Sequence, residues 1–389
     1  MPNPLELSRA LEPELIEFRR ELHRHPEVAW QEKRTTEFVA GKCQQWGLEI
    51  RRLAGRTGLM ATLNPGAPGP ALALRADMDA LPIAEENDVP YASTIPGKAH
   101  LCGHDAHTAM LLGAAKILSG LKEQLPFPLR FFFQPSEENL PGGARAFVEA
   151  GFLEGVGEIF GLHVTPQVAT GLLGVRTGPA MASMDRFEIR LEGRGGHGAM
   201  PHLTRDPICA AAELILALQT IVSRRVDPLE PAVVSVCQIQ AGSAFNAIPQ
   251  ECVLAGTARS LSAGVHERLP QWIAELAAGV AQAHGVSAKT QYERGTPVLV
   301  NPASAVEKAT KAFRKLGGRE CEIPATMGGE DFAYYLEKVP GCFAFLGAGN
   351  GTTRTAACLH HPQFDIDEKA LAWGTALYVQ LALERAGKA

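Results

Sequence analysis

The segment from Ala99 to His107 carries the thiol of Cys102 and the imidazoles of His100, His104 and His107 around Gly103. Thiolate, imidazole and carboxylate are the side chains that hold zinc and related divalent ions. The chain supplies more of them further on, at Glu137-Glu138, His163 and His360-His361. A lone cysteine or histidine is usually a core residue or a cap. A thiol one residue from an imidazole, beside a glycine, fits metal ligation better, so Cys102 and His104 lead the candidates. His100 and His107 read as supporting or structural residues. Asp105 could orient a ligand imidazole or cap the helix that follows.

Glu137 and Glu138 follow the apolar run Phe131 to Phe133 and the turn Gln134-Pro135-Ser136. Adjacent carboxylates repel, and at the end of a buried strand that repulsion costs free energy unless cations offset it. An acid-rich exposed helix start is the alternative. Neighbouring residues point in different directions, so one carboxylate can ligate while the other moves a proton. A ligand shared by two cations would hold them about 3.5–4 Å apart, as two-metal hydrolysis requires. His163 and His360 gain weight only from this cluster. Asp77, after the apolar run that ends at Arg75, could support a ligand. His197 lies in the flexible stretch Gly195-Gly196-His197-Gly198, which by itself means little. The chemistry implied is metal-dependent hydrolysis.

These residues need a scaffold. Leu11, Leu15, Phe18 and Leu22 recur at helical spacing, which predicts one opening amphipathic helix stopping before Pro26. Strand-like runs at Ala71–Arg75, Pro128–Phe133 and Glu158–His163 then alternate with helical segments Thr108–Leu121 and Gly143–Ala150. That alternation predicts an α/β layer with a mixed, largely parallel central sheet flanked by helices. The ligand candidates fall after strands or at their ends, where open α/β sheets place their sites. From about Met184 the pattern changes to period two at Arg186–Glu192. A helix Pro207–Val222, strands Ala232–Ile239 and Cys252–Arg259, a helix Val265–His284 and a strand Val286–Tyr292 follow. This is the ferredoxin-like order. The expected domains are 1–183 with 294–389, and an inserted α+β domain over 184–293.

At 389 residues two domains are the default, and 46% hydrophobic residues can bury a large core. A net charge of -5 gives no basic footprint for nucleic acid or an anionic membrane. The longest apolar stretch, Ile208 to Val222, is interrupted by Glu213 and Gln219, so no membrane span is expected. Without a charged-then-apolar leader at the start, the cytoplasm is the expected compartment. Of the eight cysteines, Cys209, Cys237 and Cys252 lie in apolar stretches and read as small core residues.

The ordered motifs along the chain resemble the aminoacylase/carboxypeptidase metallopeptidases, in the amidohydrolase branch with hippurate hydrolase, N-acyl-amino-acid amidohydrolases and auxin-conjugate hydrolases. They include His23 with Pro26-Glu27, Arg75 to Pro82, His100 to His107, Phe133 to Glu138, Gly161-Leu162-His163, His197 with Pro201-His202, Asn246 with Pro249, Gly256 to Arg259, Gly329 to Phe332, and Leu359-His360. The resemblance implies that Cys102, His104, Glu138, His163 and His360 bind two divalent cations, with Cys102 bridging and Glu137 as general base. Zinc or manganese would suit them, or cobalt or nickel. It also implies that His197 reaches across a dimer interface to the oxyanion, and that Asn246 and Arg259 touch substrate from a lid and dimerisation domain. The partners would be a small N-acyl amino acid or short peptide and a second subunit, or a higher homo-oligomer. Ala99, Leu101, Asn139-Leu140-Pro141 and His361 depart from the common pattern and bear on pocket shape. Two other functions compete with N-acyl amino acid hydrolysis: a carboxypeptidase or dipeptidase on short peptides, and a non-catalytic metal-binding relative.

Overall fold

Phe131, Phe132 and Phe133 are consecutive strand residues, and all three are fully buried. Successive strand side chains point to opposite faces, so both faces of this sheet must be covered. The structure, a computed structural model, describes residues 3–352 and 355–387. They pack as two units. The first comprises Met1–Gly178, Val300–Pro324 and Asp331–Ala389; the second comprises Pro179–Leu299 and Ala325–Glu330.

In the first unit, strands β1 (Glu49–Arg52), β2 (Leu59–Leu63), β3 (Ala71–Asp77), β4 (Leu129–Gln134), β5 (Val156–Ala169) and β6 (Leu172–Val175) join strands Arg319–Glu322 and Gly341–Gly349. The sheet order is β1, β2, β4, β3, β5, Gly341–Gly349, β6, Arg319–Glu322. The centre, β4-β3-β5 and Gly341–Gly349, is parallel. Antiparallel pairs occur towards both margins. The sheet is thus mixed, with a parallel centre. Helices α1 (Pro4–Ala10), α2 (Glu12–Arg24), α3 (Lys33–Gln45), α4 (His104–Gly120) and α5 (Gly143–Glu149) precede three more at Ala303–Lys315, Ala333–Leu336 and Ala370–Arg385. Asp77 and Gln134 sit opposite each other in register at the carboxyl ends of β3 and β4. The segments bearing Asp79 and the glutamate pair therefore leave the sheet side by side.

Several local expectations are corrected. The amphipathic helix expected over Leu11 to Leu22 is α2, which ends before Pro26, but a separate short helix, α1, precedes it, and the chain interrupts at Leu11 before restarting with Pro13 in the first turn of α2. The helix expected from Thr108 begins at His104, which makes His104 a helical residue. His163 lies inside β5, which continues to Ala169. Cys209 and Cys237 are exposed; Cys252 is buried.

In the second unit, strands Ser183–Glu192, Ala232–Ala241, Glu251–Ser260 and Ser287–Thr296 form an antiparallel sheet. Ala232–Ala241 and Ser287–Thr296 are its edges. Phe187, Ile189 and Leu191 alternate inward along the first of these strands, as period two requires. Helix Pro207–Thr220 starts on an Asp206 cap and helix Ala263–His284 on a Ser262 cap. Pro207–Arg225 is long and apolar enough to cross a membrane by length and composition alone. Its Ala210, Ala211, Leu214 and Leu218 are packed in this unit's own core.

Candidate metal centre

Gly103 explains why a thiol and an imidazole can sit so close. Its φ of 91° is left-handed, and a Cβ there would lie 2.3 Å from Val164 Cγ2. Only glycine fits such a position without strain. The turn leaves Cys102 just outside α4 and makes His104 its first residue. His104 Nδ1 lies 2.8 Å from the Asp79 carbonyl, which can only accept, so Nδ1 carries the proton. Nε2 is then the basic atom, and it is buried with no hydrogen-bond partner among the described residues. His163 repeats the arrangement: Nδ1 donates to the Val164 carbonyl at 2.7 Å, leaving Nε2 3.4 Å from Cys102 Sγ. Fixing one imidazole nitrogen so that the other faces a cation is how proteins orient metal-binding histidines.

Two groups of potential ligand atoms, each within 4.8 Å of one another, share one residue. They are Cys102, His104 and His163, and Cys102, Glu138 and His360. His360 Nε2 is 3.1 Å from Glu138 Oε1, and the His360 amide donates to the Leu101 carbonyl at 2.8 Å. All five residues proposed as ligands from the sequence are therefore brought together. Glu137 joins His104 and Glu138 in a third group.

The field around these atoms is negative. Burial pushes the Cys102 thiol well above its ordinary range, and Glu138 and Glu137 push it further. Burial disfavours the His104 imidazolium, but Asp77 and Asp79 outweigh it and hold His104 at about 10. Burial raises the Glu138 carboxyl, yet His360 and His104 bring it below its usual value. Burial keeps His163 neutral, with His107 adding to the effect. A thiol, three imidazoles and carboxylates, with an orphaned buried nitrogen aimed among them, fit divalent cations.

The supporting residues differ from expectation. Asp105 neither caps α4 nor orients a ligand; it pairs with Arg19 at 3.1 Å and His23 at 2.8 Å, all three buried. Asp77 accepts from His107 Nδ1 at 2.6 Å and pairs with the buried Arg75 at 2.6 Å. His107 Nε2 in turn accepts from Val164 N at 2.8 Å, steadying the strand beside His163. Asp79 has the most direct supporting contacts, which the sequence reading missed. Its Oδ1 accepts from Glu137 N and its Oδ2 from Glu138 N, both at 3.0 Å, and Oδ1 is 3.2 Å from His104 Nδ1. A second acid two residues after Asp77 was the available signal.

His197, Asn246 and Arg259 belong to the second unit. Gly196-His197 pairs with Ala247-Ile248, so His197 sits opposite Ala247, exposed, with Nδ1 accepting from Ala199 N at 3.1 Å. The neighbouring Asn246 is exposed, and its carbonyl accepts from Gly198 N. Arg259 is half-buried on strand Glu251–Ser260 and donates to the Met327 carbonyl at 2.8 Å.

The model of peptidase family M20/M25/M40 matches residues 73–384. An N-acetylcysteine deacetylase of Bacillus subtilis is 40% identical over 376 residues, covering 96% of this chain and 97% of that protein. An N-acyl-L-amino acid amidohydrolase of Geobacillus stearothermophilus is 46% identical over 289 residues, 74% of this chain and 78% of that one. Among solved structures, the YXEP protein of Bacillus subtilis, described as a dinuclear metal binding peptidase, superposes with a TM-score of 0.85 at 37% identity, covering 98% and 99% of the two chains. With a family model over most of its length and relatives this similar, the chain belongs to peptidase family M20/M25/M40.

Proposed function

We propose that this protein is a metal-dependent amidohydrolase cleaving the amide bond of N-acyl amino acids, of the N-acetyl or N-benzoyl type, to a carboxylate and a free amino acid. The observation that carries the reading is the pair of ligand groups sharing Cys102, with Glu137 beside them. Cys102, His104, Glu138, His163 and His360 would hold two divalent cations, zinc or manganese in the first place. When bound, the cations supply Lewis acidity that polarises the acyl carbonyl and acidifies water. Glu137 takes the proton from the attacking water and returns it to the departing amine. His197 donates a hydrogen bond to the developing oxyanion. Asn246 and Arg259 contact the substrate.

The first unit is read as the catalytic domain and the second as an inserted ferredoxin-like lid and dimerisation domain. The edge strand Ala232–Ala241 and the adjoining helix Pro207–Thr220 are the surface for a second copy, because a free strand edge beside exposed apolar residues is self-complementary about a two-fold axis. The names of the deacetylase and amidohydrolase relatives support the substrate class. The likeness to a dinuclear metal binding peptidase supports short peptides as the competing substrates.

The test combines elemental analysis of purified protein with a panel of N-acetyl amino acids, N-benzoyl amino acids and dipeptides. Two metal equivalents and preferred turnover of N-acyl amino acids are expected. Preferred turnover of dipeptides replaces the substrate class, and no turnover in metal-replete protein defeats the enzymatic reading.

A further inference from the structure

Ser136, the residue before the glutamate pair, has a φ of 53° and is fully buried. Left-handed backbone at a residue other than glycine persists only where the surroundings enforce it. Ser136 does not enforce it with its own side chain, whose Oγ has no hydrogen-bond partner among the described residues. The anchors are on its backbone. The carbonyl accepts from Gly143 N at 2.8 Å, and the amide donates to Glu32 Oε1 at 2.8 Å.

Glu32 is itself fully buried. Oε1 also accepts from Trp30 N at 3.1 Å, and Oε2 accepts from the Thr57 hydroxyl at 2.6 Å. One carboxylate thus ties together the turn before α3, the loop before β2 and the turn after β4. Immediately after Ser136, the amides of Glu137 and Glu138 point at Asp79. Glu32 and Asp79 therefore clamp three consecutive amides from two sides. Burial and the nearby negative charge of Asp79 raise the Glu32 carboxyl to about 7, so the anchor occupies this place at an electrostatic cost.

We propose that Glu32 is a positioning residue for the reaction: it holds the left-handed turn at Ser136 from which Glu137 and Glu138 are aimed into the metal centre. This rests on the reading of Glu137 as the proton-transfer group.

The test uses full-length, metal-loaded Glu32→Gln and Glu32→Asp, with Glu137→Gln alongside and an N-acetyl amino acid as substrate. Glutamine keeps an oxygen at the Oε1 position for both amides; aspartate is one methylene too short to reach them. Misplacing a catalytic group is costly even when the fold survives, so Glu32→Asp should lose about tenfold or more in kcat and Glu32→Gln no more than about threefold. KM should not change in either; Glu32→Gln should keep both cations, whereas Glu32→Asp, which also misaims the ligand Glu138, should bind metal more weakly. Hydrogen exchange at the amides of residues 136–138 should accelerate in Glu32→Asp and stay slow in Glu32→Gln. Wild-type kcat and exchange in Glu32→Asp overturn the proposal, as does an equal kcat loss in the two variants. If Glu32→Asp fails to fold, Glu32→Gln decides alone: a tenfold loss or fast exchange overturns the proposal. Wild-type turnover in Glu137→Gln would defeat the assigned role of Glu137, while the exchange comparison would still judge Glu32.

Discussion

Cys102 belongs to both ligand groups, whereas His104 and His163 complete one and Glu138 and His360 the other. Substitutions should therefore separate by residue. Cys102→Ala removes the shared donor and should reduce bound metal below one equivalent, whereas Glu138→Ala should lose one cation selectively. Glu137→Gln should keep both cations yet lose about 10²–10⁴-fold in kcat, the usual contribution of a general base. Metal stoichiometry and kcat measured on the same preparations check all three. Full metal in Cys102→Ala would refute the shared-ligand arrangement. Cys102, His104 and the glutamate pair were legible because ligation depends on residue type and spacing, whereas His163 and His360 gained weight only from that cluster and were named as ligands by the family resemblance. Asp79 and Glu32 were not legible as anchors, since they act by accepting from main-chain amides, and amides carry no sequence signature.

The elements that present these side chains place their own demands. Gly103 must be glycine both for its positive φ and because Val164 Cγ2 occupies the space of a Cβ. Gly103→Ala should lower stability by about 2 kcal/mol or more, from left-handed strain and overpacking together. It should weaken metal binding as well, since Val164 adjoins His163 on β5. Denaturant midpoints and metal titration measure the two effects, and a wild-type midpoint would contradict the packing argument. Helix α2 is tied to the start of α4 by His23 and Arg19, both against Asp105. Burial disfavours the His23 imidazolium, but Asp105 and Glu85 overcome it and raise His23 to about 9 from an ordinary 6.5. A raised histidine stabilises fully below its unfolded value and loses that contribution as pH climbs through its folded value. The stability cost of His23→Gln should thus be largest near pH 6 and shrink between about 6.5 and 9. A cost independent of pH would mean that His23 acts by packing alone. Strands such as β4 were readable because a buried parallel strand is a short apolar run. The short helix α1 was not, because the apolar periodicity that was read begins at Leu11, after it ends. Cys209 and Cys237 misled because an apolar neighbourhood in sequence does not say which face of a helix or strand a residue takes.

For the whole molecule, the exposed apolar residues are unevenly spread. Leu203, Ile208, Leu216, Val222, Leu229, Ile239 and Phe245 all belong to the second unit, with Leu216 72% and Phe245 fully exposed. Exposed apolar residues on a free strand edge and on the helix beside it mark an association site. The protein should therefore sediment as a dimer. Ile239→Lys, on the edge strand, and Leu216→Lys, on the adjoining helix, should shift it to monomer, and because neither side chain is in a core the denaturation midpoint should fall only by what association itself supplied. The proposed role of His197 makes a sharper demand. If His197 serves the partner's metal centre, His197→Ala and Glu137→Gln each leave a dimer without a complete site, but a mixed dimer regains one. Unfolding and refolding the two inactive variants together should restore about a quarter of wild-type activity, since half the dimers are mixed and each has one intact site of two. Activity that stays at the level of the separate variants, in a mixture shown to contain heterodimers, would place His197 in its own subunit's chemistry or outside the reaction.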